Sequence, residues 1–310
     1  MVFIQRYLGY NNSAIGIVLI FICMFKVNQI SSLKSYLKMS VILIIISIFA
    51  SLASLNLYTS VILNLILPFC IIFFTISKGK TSNYFIYGHE YIMLQSYPIT
   101  LREIPLRIIA VAFALLVCYV YMKIYNRKVK FDTKLLCDGD LILYNIKNFK
   151  QEFNLKTSRT RFAIRASFIL WITCVIMDMV PDRNIRSYWL PLITYSSLEL
   201  DYQKQQDKLM AQIGGTTLGI GIFTLIFHWI PLNALMIFMA IAFTMLFAIE
   251  NQYLKKAIGT ILGMSFVIQS FGEIGSILLR YTYVLAAILI IAIFECLRKG
   301  IRKVEKYIEI

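Results

Sequence analysis

The chain consists of long, continuous apolar runs that are separated by short polar segments. The runs have roughly the length that a helix needs to cross a bilayer, about 20 residues. Inside lipid, every backbone amide and carbonyl must be paired within the protein, so only helices and closed barrels can cross. Barrel strands alternate apolar and polar residues, and these runs do not alternate. The sequence therefore predicts an all-α, polytopic transmembrane helix bundle.

Composition excludes a soluble domain. Hydrophobic residues make up 59% of the 310 residues and charged residues only 15%, whereas a soluble domain contains about 25% charged residues. The first apolar run carries no basic segment before it and no convincing small-residue cleavage site after it, so it does not resemble a removable signal peptide. We therefore expect a multi-pass protein of the cell membrane.

Hydropathy predicts about eleven spans, five in the first half and six in the second. The predicted spans are 11–25, 39–56, 58–76, 84–98, 104–122, 162–180, 187–199, 210–228, 232–249, 256–270 and 276–296. Spans 84–98 and 187–199 are shorter than a bilayer requires. We interpret them as tilted neighbours of re-entrant backbone or as weak helices buried inside the bundle.

Residues 11–125 and 187–296 look like two copies of one membrane unit. An offset of 173 or 174 positions aligns Leu106-Arg107 with Leu279-Arg280, and Gln95-Ser96 with Gln269-Ser270. Repeats of this size are typical of transporters, in which the site lies between the halves near the bilayer midplane. The alternative is that apolar helices with short loops resemble one another by composition alone. We favour two pseudo-repeats.

The repeat divides the chain into three parts. Residues 1–125 form the first repeat, 126–160 a cytoplasmic linker, and 161–310 the second repeat with a basic cytoplasmic tail. The second repeat begins with an extra span, 162–180. The matching helix of the first repeat is either lost or lies upstream of the given start; alternatively, Met1–Tyr10 forms a stub at the outer surface.

The linker contains apolar residues at spacings compatible with an amphipathic helix, interspersed with lysines. The apolar positions are Leu135, Leu136, Leu141, Ile142, Ile146, Phe149 and Phe153. One interpretation is an interfacial helix held to anionic lipid headgroups. The other is a linker helix packed on the bundle.

Basic residues predict the orientation. If the linker is cytoplasmic and the spans alternate, 25 of the 31 Lys and Arg residues lie inside and six lie outside. This agrees with the positive-inside rule, and it explains the net charge of +15 without a nucleic acid partner. The C-terminus is then cytoplasmic and the N-terminus outside. Abundant Ile, Lys and Asn indicate an AT-rich genome, and we expect the protein in the cytoplasmic membrane of a bacterium.

Ionisable residues at membrane depth are candidate site residues, because their burial in lipid is costly. Arg107 and Arg280 occupy equivalent repeat positions and could bind a substrate carboxylate by paired hydrogen bonds; the alternative is that they extend to outer headgroups. His89 and Glu90 lie in the middle of a predicted span. They could relay protons, or they could lie at an aqueous interface beside Gly88.

Four glycines cluster in one predicted span of the second half. They are Gly214, Gly215, Gly219 and Gly221. Small residues let membrane helices approach closely, so we predict a helix-packing role for them. The alternative is that one face of this helix lines a substrate path.

The order of motifs in the second half resembles the fusaric acid resistance and aromatic acid exporter family of integral membrane transporters. Arg161-Phe-Ala-Ile-Arg165 opens a helix, Tyr188-Trp189 begins the next, and a basic turn containing Lys208 leads into Gly214-Gly215-Thr216. Arg280 matches the family's arginine at the start of the sixth helix. Two departures weaken the resemblance. The turn at 196–201 lacks proline and glycine, and Tyr283 stands where the family commonly has an aspartate.

The resemblance implies a transporter that exports small aromatic organic anions by secondary transport, because no nucleotide-binding segment is visible. A passive anion channel and a non-transporting scaffold of an envelope assembly are the alternatives. The sequence predicts no catalytic residues, no cofactor and no metal site: His89-Glu90 lacks the second histidine of a zinc protease motif. The expected partners are the bilayer, the anion, and a homo-oligomer or an accessory protein.

Overall fold

The computed structural model describes residues 33–76, 84–126, 138–180, 189–227, 242, 245 and 249–308. All regular structure in these ranges is helical, which confirms the predicted all-α class. The α-helices are α1 (Leu33–Ala53), α2 (Leu57–Thr75), α3 (Tyr84–Gln95), α4 (Ile104–Asn126), α5 (Asp138–Lys147), α6 (Phe149–Glu152), α7 (Ser158–Met179), α8 (Trp189–Ser197), α9 (Tyr202–Phe227) and α10 (Gln252–Ile308).

Six segments of the described residues are long and apolar enough to cross a membrane. They are Tyr36–Ala53, Leu57–Thr75, Leu101–Tyr121, Ser158–Met179, Tyr202–Ile226 and Gly272–Arg298. A multi-pass membrane protein is therefore supported, whereas neither the predicted count of eleven spans nor the predicted two-repeat layout is confirmed. Spans 11–25 and most of 232–249 lie outside the described residues.

The two short predicted spans are short helices in the structure. α3 has 12 residues and the described part of α8 has nine, which correspond to about 18 Å and 14 Å at 1.5 Å per residue. Neither length reaches across a hydrocarbon core of about 30 Å. Both helices are nevertheless largely buried, as expected for weak helices inside a bundle.

Helix α10 combines the predicted spans 256–270 and 276–296. Its 57 residues are interrupted at Gly272, which has φ 68° and ψ −177°. A positive φ is accessible to glycine at little cost but strained for other residues, so this glycine allows the chain to turn between two helical segments. The predicted pair of helices is therefore present, and the break lies at Gly272.

The chain divides into two compact units, Met1–Tyr195 and Ser196–Ile310. This division does not coincide with the predicted boundary at residue 161, because α7 packs on α2 within the first unit. The Trp171 indole donates to the Val61 carbonyl at 2.9 Å. Ser60 near the start of α2 donates to Asp178 near the end of α7. The two helices thus run antiparallel.

In the first unit, α1 packs against α2, α3, α4 and α5. Helix α2 begins with a capping box, in which the Asn56 side chain accepts from the Thr59 amide and the Thr59 hydroxyl accepts from the Asn56 amide. These bonds satisfy amides that have no partner within the helix. In the second unit, α9 packs along α10.

The linker helices α5 and α6 pack on the C-terminal end of α2. The Asn145 amide donates to the Phe74 carbonyl at 2.8 Å. The Phe149 ring packs edge-to-face against Phe73, and the Phe153 ring packs against it in a tilted arrangement. Packing on the bundle is thus observed for this face. The opposite face of α5 exposes other apolar side chains, including Tyr144, so contact with lipid headgroups stays a prediction for that face.

Candidate functional site

Arg107 is buried inside the first unit, with 1% of its surface exposed. Its Nη1 donates to the Leu94 carbonyl at 3.1 Å and to Ser51 Oγ at 3.3 Å, and its Nη2 donates to the Tyr97 carbonyl. The two carbonyls lie at the end of α3, where no further helical turn follows to pair with them. The guanidinium therefore stabilises a helix C-terminus with its positive charge and does not extend to the surface.

The structure places Glu90 and His89 in different surroundings. Glu90 is 2% exposed, and its Oε1 accepts from the Ser47 hydroxyl at 3.0 Å. Its Oε2 has no hydrogen-bond partner among the described residues. His89 is only half-buried. Of the two predicted proton-coupling residues, Glu90 is the one held deep in the bundle.

Two serines of α1 connect Glu90 to Arg107. Ser47 binds the carboxylate, Ser51 accepts from the guanidinium, and the Ser51 hydroxyl donates to the Ser47 carbonyl at 2.7 Å. Both serines are fully buried. Residues four apart lie on one face of a helix, one turn from each other. Helix α1 therefore connects an acidic side chain of α3 to a basic side chain of α4.

A second buried polar network links α2, α3 and α7. Asn64 is its centre: its Oδ1 accepts from the Tyr91 hydroxyl at 2.8 Å and from the Gln95 amide at 2.9 Å. Its Nδ2 donates to Ser60 Oγ at 2.8 Å, and Ser60 donates in turn to Asp178. The hydrogen bonds of this network therefore run in one direction, from Tyr91 and Gln95 through Asn64 and Ser60 to the Asp178 carboxylate. Hydrogen bonds of this kind hold membrane helices together.

In the second unit, Arg280 also lies in a polar and buried setting. It is 8% exposed, and its Nη2 donates to Thr260 Oγ1 at 3.3 Å. Thr260 contacts Thr216 Oγ1 at 3.4 Å, and Gln212 donates to the same hydroxyl at 3.2 Å. Arg280 follows the bend at Gly272 by eight residues, about 12 Å along the helix, so it lies well inside the span.

Further basic side chains lie near this group within the second unit. Lys256, one turn before Thr260, donates to Ser196 Oγ at 2.8 Å. It lies within electrostatic range of both Lys208 and Arg280. Lys208 itself pairs with Glu199 at 2.7 Å. The second unit therefore concentrates three cationic side chains along α9 and α10, with hydroxyl groups between them.

The predicted glycines differ in their surroundings. A Cβ at Gly215 would lie 2.6 Å from Lys256 Cβ, and one at Gly219 would lie 2.5 Å from the Ala257 carbonyl oxygen. Gly214 faces the Tyr253 ring, at 3.1 Å from such a Cβ. A Cβ at Gly221 would meet no atom within 4 Å. Close packing on α10 therefore explains glycine at 215 and 219, whereas no contact in the described structure explains it at 221.

The remaining motif residues lie at helix ends. Arg161 is exposed and donates to the Lys156 carbonyl at 2.9 Å. The Arg165 guanidinium lies over the Phe162 ring at 5.5 Å. Trp189 is the first residue of α8, and Tyr188 lies outside the described residues. Arg161 thus contacts the segment just before α7, and Arg165 contacts a ring on its own helix.

Within the described ranges, no group of three His, Cys, Asp or Glu side chains is placed to hold a metal ion. The buried groups provide hydrogen-bond donors, positive charge and the carboxyl groups of Glu90, Glu199 and Glu295, of which Glu90 is the least exposed. This chemistry can bind an anion and a proton.

Residues 166–294 match the family model described as fusaric acid resistance protein-like. This match confirms the family resemblance over most of the second half of the chain. It includes Lys208, Arg280 and the glycines of α9. No curated protein and no solved structure shows significant similarity to the chain.

Proposed function

We propose that the protein is a secondary transporter that moves small aromatic organic anions outward across the bacterial cytoplasmic membrane. Helices long and apolar enough to cross a bilayer and the fusaric acid resistance protein-like region both support membrane transport. The substrate class is inferred from the chemistry of the buried groups and from the family resemblance. We propose a transporter, not an enzyme.

The observation that carries the proposal is the buried Arg280 and its surroundings. A charged side chain at membrane depth is costly and in most cases serves a function. Arg280 lies within the family-like region, beside Thr260 and in electrostatic range of Lys256. A guanidinium and hydroxyl donors together can hold a carboxylate, while the apolar residues around them suit an aromatic ring.

Arg107 supports the proposal in the first unit. It occupies the equivalent repeat position and is also buried, but the described contacts engage it with helix-end carbonyls. A substrate carboxylate would have to replace one of these acceptors. We therefore expect Arg280 to contribute more to anion affinity than Arg107 does.

Transport can be tested with the purified protein in proteoliposomes and labelled benzoate or salicylate. We expect saturable uptake and counterflow, both reduced about 10- to 100-fold by Arg280→Gln, because a charge-assisted hydrogen bond contributes about 1.5–3 kcal/mol. Arg102→Gln removes the same charge at an exposed position and should leave transport unchanged.

Two further measurements, together with the transport assay, separate the alternatives. Single-channel current without counterflow would indicate a passive anion channel. No flux at any pH difference, together with a stable protein partner in pull-down experiments, would indicate the scaffold and contradict the proposal.

A further inference from the structure

The hydrogen bonds of Ser47 suit both protonation states of Glu90. Ser47 Oγ lies 2.8 Å from the Leu43 carbonyl and 3.0 Å from Glu90 Oε1. A hydroxyl has one proton and can donate to only one of these acceptors at a time. When Glu90 is ionised, Ser47 can donate to the carboxylate. When Glu90 carries a proton on Oε1, it can donate to Ser47, which then donates to Leu43.

This arrangement differs from a purely structural serine bond. A serine that only bonded to its own helix would need the Leu43 carbonyl alone. Here a rotation of the Ser47 hydroxyl provides a partner for the carboxyl group before and after proton binding. Glu90 can therefore gain or lose a proton without movement of α1 or α3.

Proton binding at Glu90 changes the electrostatic environment of Arg107. Ser47 and Ser51, one helical turn apart, separate the two groups, which places them on the order of 10 Å from each other. At that distance inside a protein, two unit charges alter one another's binding equilibria by about tenfold. Ionised Glu90 partly neutralises Arg107, and protonated Glu90 does not.

Among the described residues of the first unit, few other charged groups lie at the level of Glu90 and Arg107. On α3 the neighbouring titratable groups are Tyr87, His89 and Tyr91. The half-buried Glu103 precedes α4 and lies within electrostatic range of Arg107, and its carboxylate accepts from the Thr100 amide. Helix α2 carries no Asp, Glu, Lys, Arg or His. The lysines of α1 lie at least nine residues before Ser47, about 14 Å along the axis.

We propose that Glu90 and Arg107 form one coupled site, in which a proton on Glu90 and an organic anion at Arg107 bind together. Ser47 and Ser51 are its positioning residues. This inference rests on the proposed function, because it concerns how the transported anion binds. An anion brings one negative charge to Arg107, and the proton on Glu90 removes one negative charge from the same site.

The coupling has a consequence for the charge that moves. One proton and one monovalent anion together carry no net charge, so the membrane potential does not drive their joint movement. The flux then follows the gradient of the complete acid, which is outward when the cell produces the acid.

The test uses benzenesulfonate, an aromatic anion that stays ionised from mildly acidic to mildly basic pH. Its binding to the full-length protein in detergent is measured by calorimetry in buffers of different ionisation heat, which reveals the protons taken up. We expect proton uptake with each anion and about tenfold tighter binding at the acidic end of the range. Anion binding without proton uptake, or with proton release, overturns the inference.

Two variants assign the proton. Glu90→Gln should still bind the anion, with no proton uptake at this site and an affinity that no longer depends on pH. Glu250→Gln makes the same change at an exposed position and should behave like the wild-type protein. If Glu90→Gln takes up protons as the wild-type protein does, the assignment to Glu90 is overturned.

The positioning role of Ser47 has a separate readout. Ser47→Ala removes a hydroxyl that bonds more strongly to the ionised carboxylate than to the protonated carboxyl group, so the pH midpoint of anion binding should shift upward. Ser54→Ala, one residue past the end of α1, should not shift it. An unchanged midpoint in Ser47→Ala overturns this role. If Glu90→Gln does not fold, the number of protons that the wild-type protein takes up and the pH midpoint of Ser47→Ala still test the inference.

Failure of this inference can be distinguished from failure of the proposed function. If the wild-type protein binds and transports no aromatic anion at any pH, the proposed function fails and the coupling fails with it. If it transports benzoate in proteoliposomes but a potassium diffusion potential changes the rate several-fold, transport stands and coupled binding is overturned.

Discussion

Replacement of Gly219 by alanine tests the close contact between α9 and α10 directly. The added Cβ would lie 2.5 Å from the Ala257 carbonyl oxygen and 2.9 Å from Thr260 Cβ. Neither neighbour is the end of a flexible side chain, so the helices must separate. Forcing a methyl group into a packed interior typically costs about 1–3 kcal/mol. Separation would also lengthen the contact between Thr216 and Thr260, now 3.4 Å.

Gly221→Ala is the matched control on the same helix. No atom lies within 4 Å of a Cβ at this position, and alanine favours a helix over glycine by up to about 1 kcal/mol. We therefore expect Gly219→Ala to lower the free energy of unfolding and Gly221→Ala to raise it slightly. The gain in helix propensity is common to both variants, so their free energies of unfolding should differ by the packing cost alone, about 1–3 kcal/mol.

The measurement is reversible unfolding in mixed micelles by added dodecyl sulfate, followed by circular dichroism. Size-exclusion chromatography confirms that both variants start from the same state. Equal free energies of unfolding for the two variants would refute the reasoning, because they would show that α9 does not depend on a glycine at 219 to approach α10.

Two further predictions concern the first unit. Asn64→Leu, close in size, removes the centre of the network between α2, α3 and α7 and should lower the free energy of unfolding by about 1–3 kcal/mol; a loss below about 0.5 kcal/mol would contradict a stabilising network. Arg159→Gln removes the bonds to the Phe73 carbonyl, at 2.6 Å and 3.2 Å, and the ion pair with Glu152. Hydrogen exchange of the 138–152 amides should become faster than in the wild-type protein, and unchanged exchange would show that the linker is held by other contacts.

Hydropathy predicts most of the described helices, and their ends move where polar residues extend a helix beyond the lipid. Span 210–228 is observed as α9 from Tyr202, because the preceding glutamines and lysines favour a helix although they are polar. Such an extension is invisible to a scale that measures only transfer into lipid. Hydropathy fails in the opposite way for α3. This segment is apolar enough to be predicted as a span, but it is a short helix buried in protein.

The candidate site could be predicted only in part. Arg107 and Glu90 could be identified because charged residues stand out in an apolar run. Ser47 and Ser51 could not, because a serine in a membrane helix commonly bonds to its own backbone. Their spacing of four indicates a shared face of α1 but not the helix opposite, which depends on tertiary packing. Asn64 could not be identified either, because its partners also depend on tertiary packing.

The predicted equivalence of Arg107 and Arg280 shows how little an internal repeat says about the contacts of a residue. The offset predicts that both arginines follow a helix connection, and the structure places both in buried positions. Their partners differ: backbone carbonyls bind Arg107, and a threonine hydroxyl binds Arg280. The partners of Arg107 depend on how the chain leaves α3, a local geometry that side-chain identity does not encode.

The contact between Ser60 and Asp178 has a consequence for biosynthesis. The two residues are 118 positions apart in the chain, so the ribosome completes α2 well before it makes the carboxylate that α2 will bind. At translation rates of about 5–20 residues per second, the delay is about 6–24 s. During that time the polar groups of α2 need a temporary partner, such as water or the insertion machinery, and the first unit can be completed only after the linker has been synthesised.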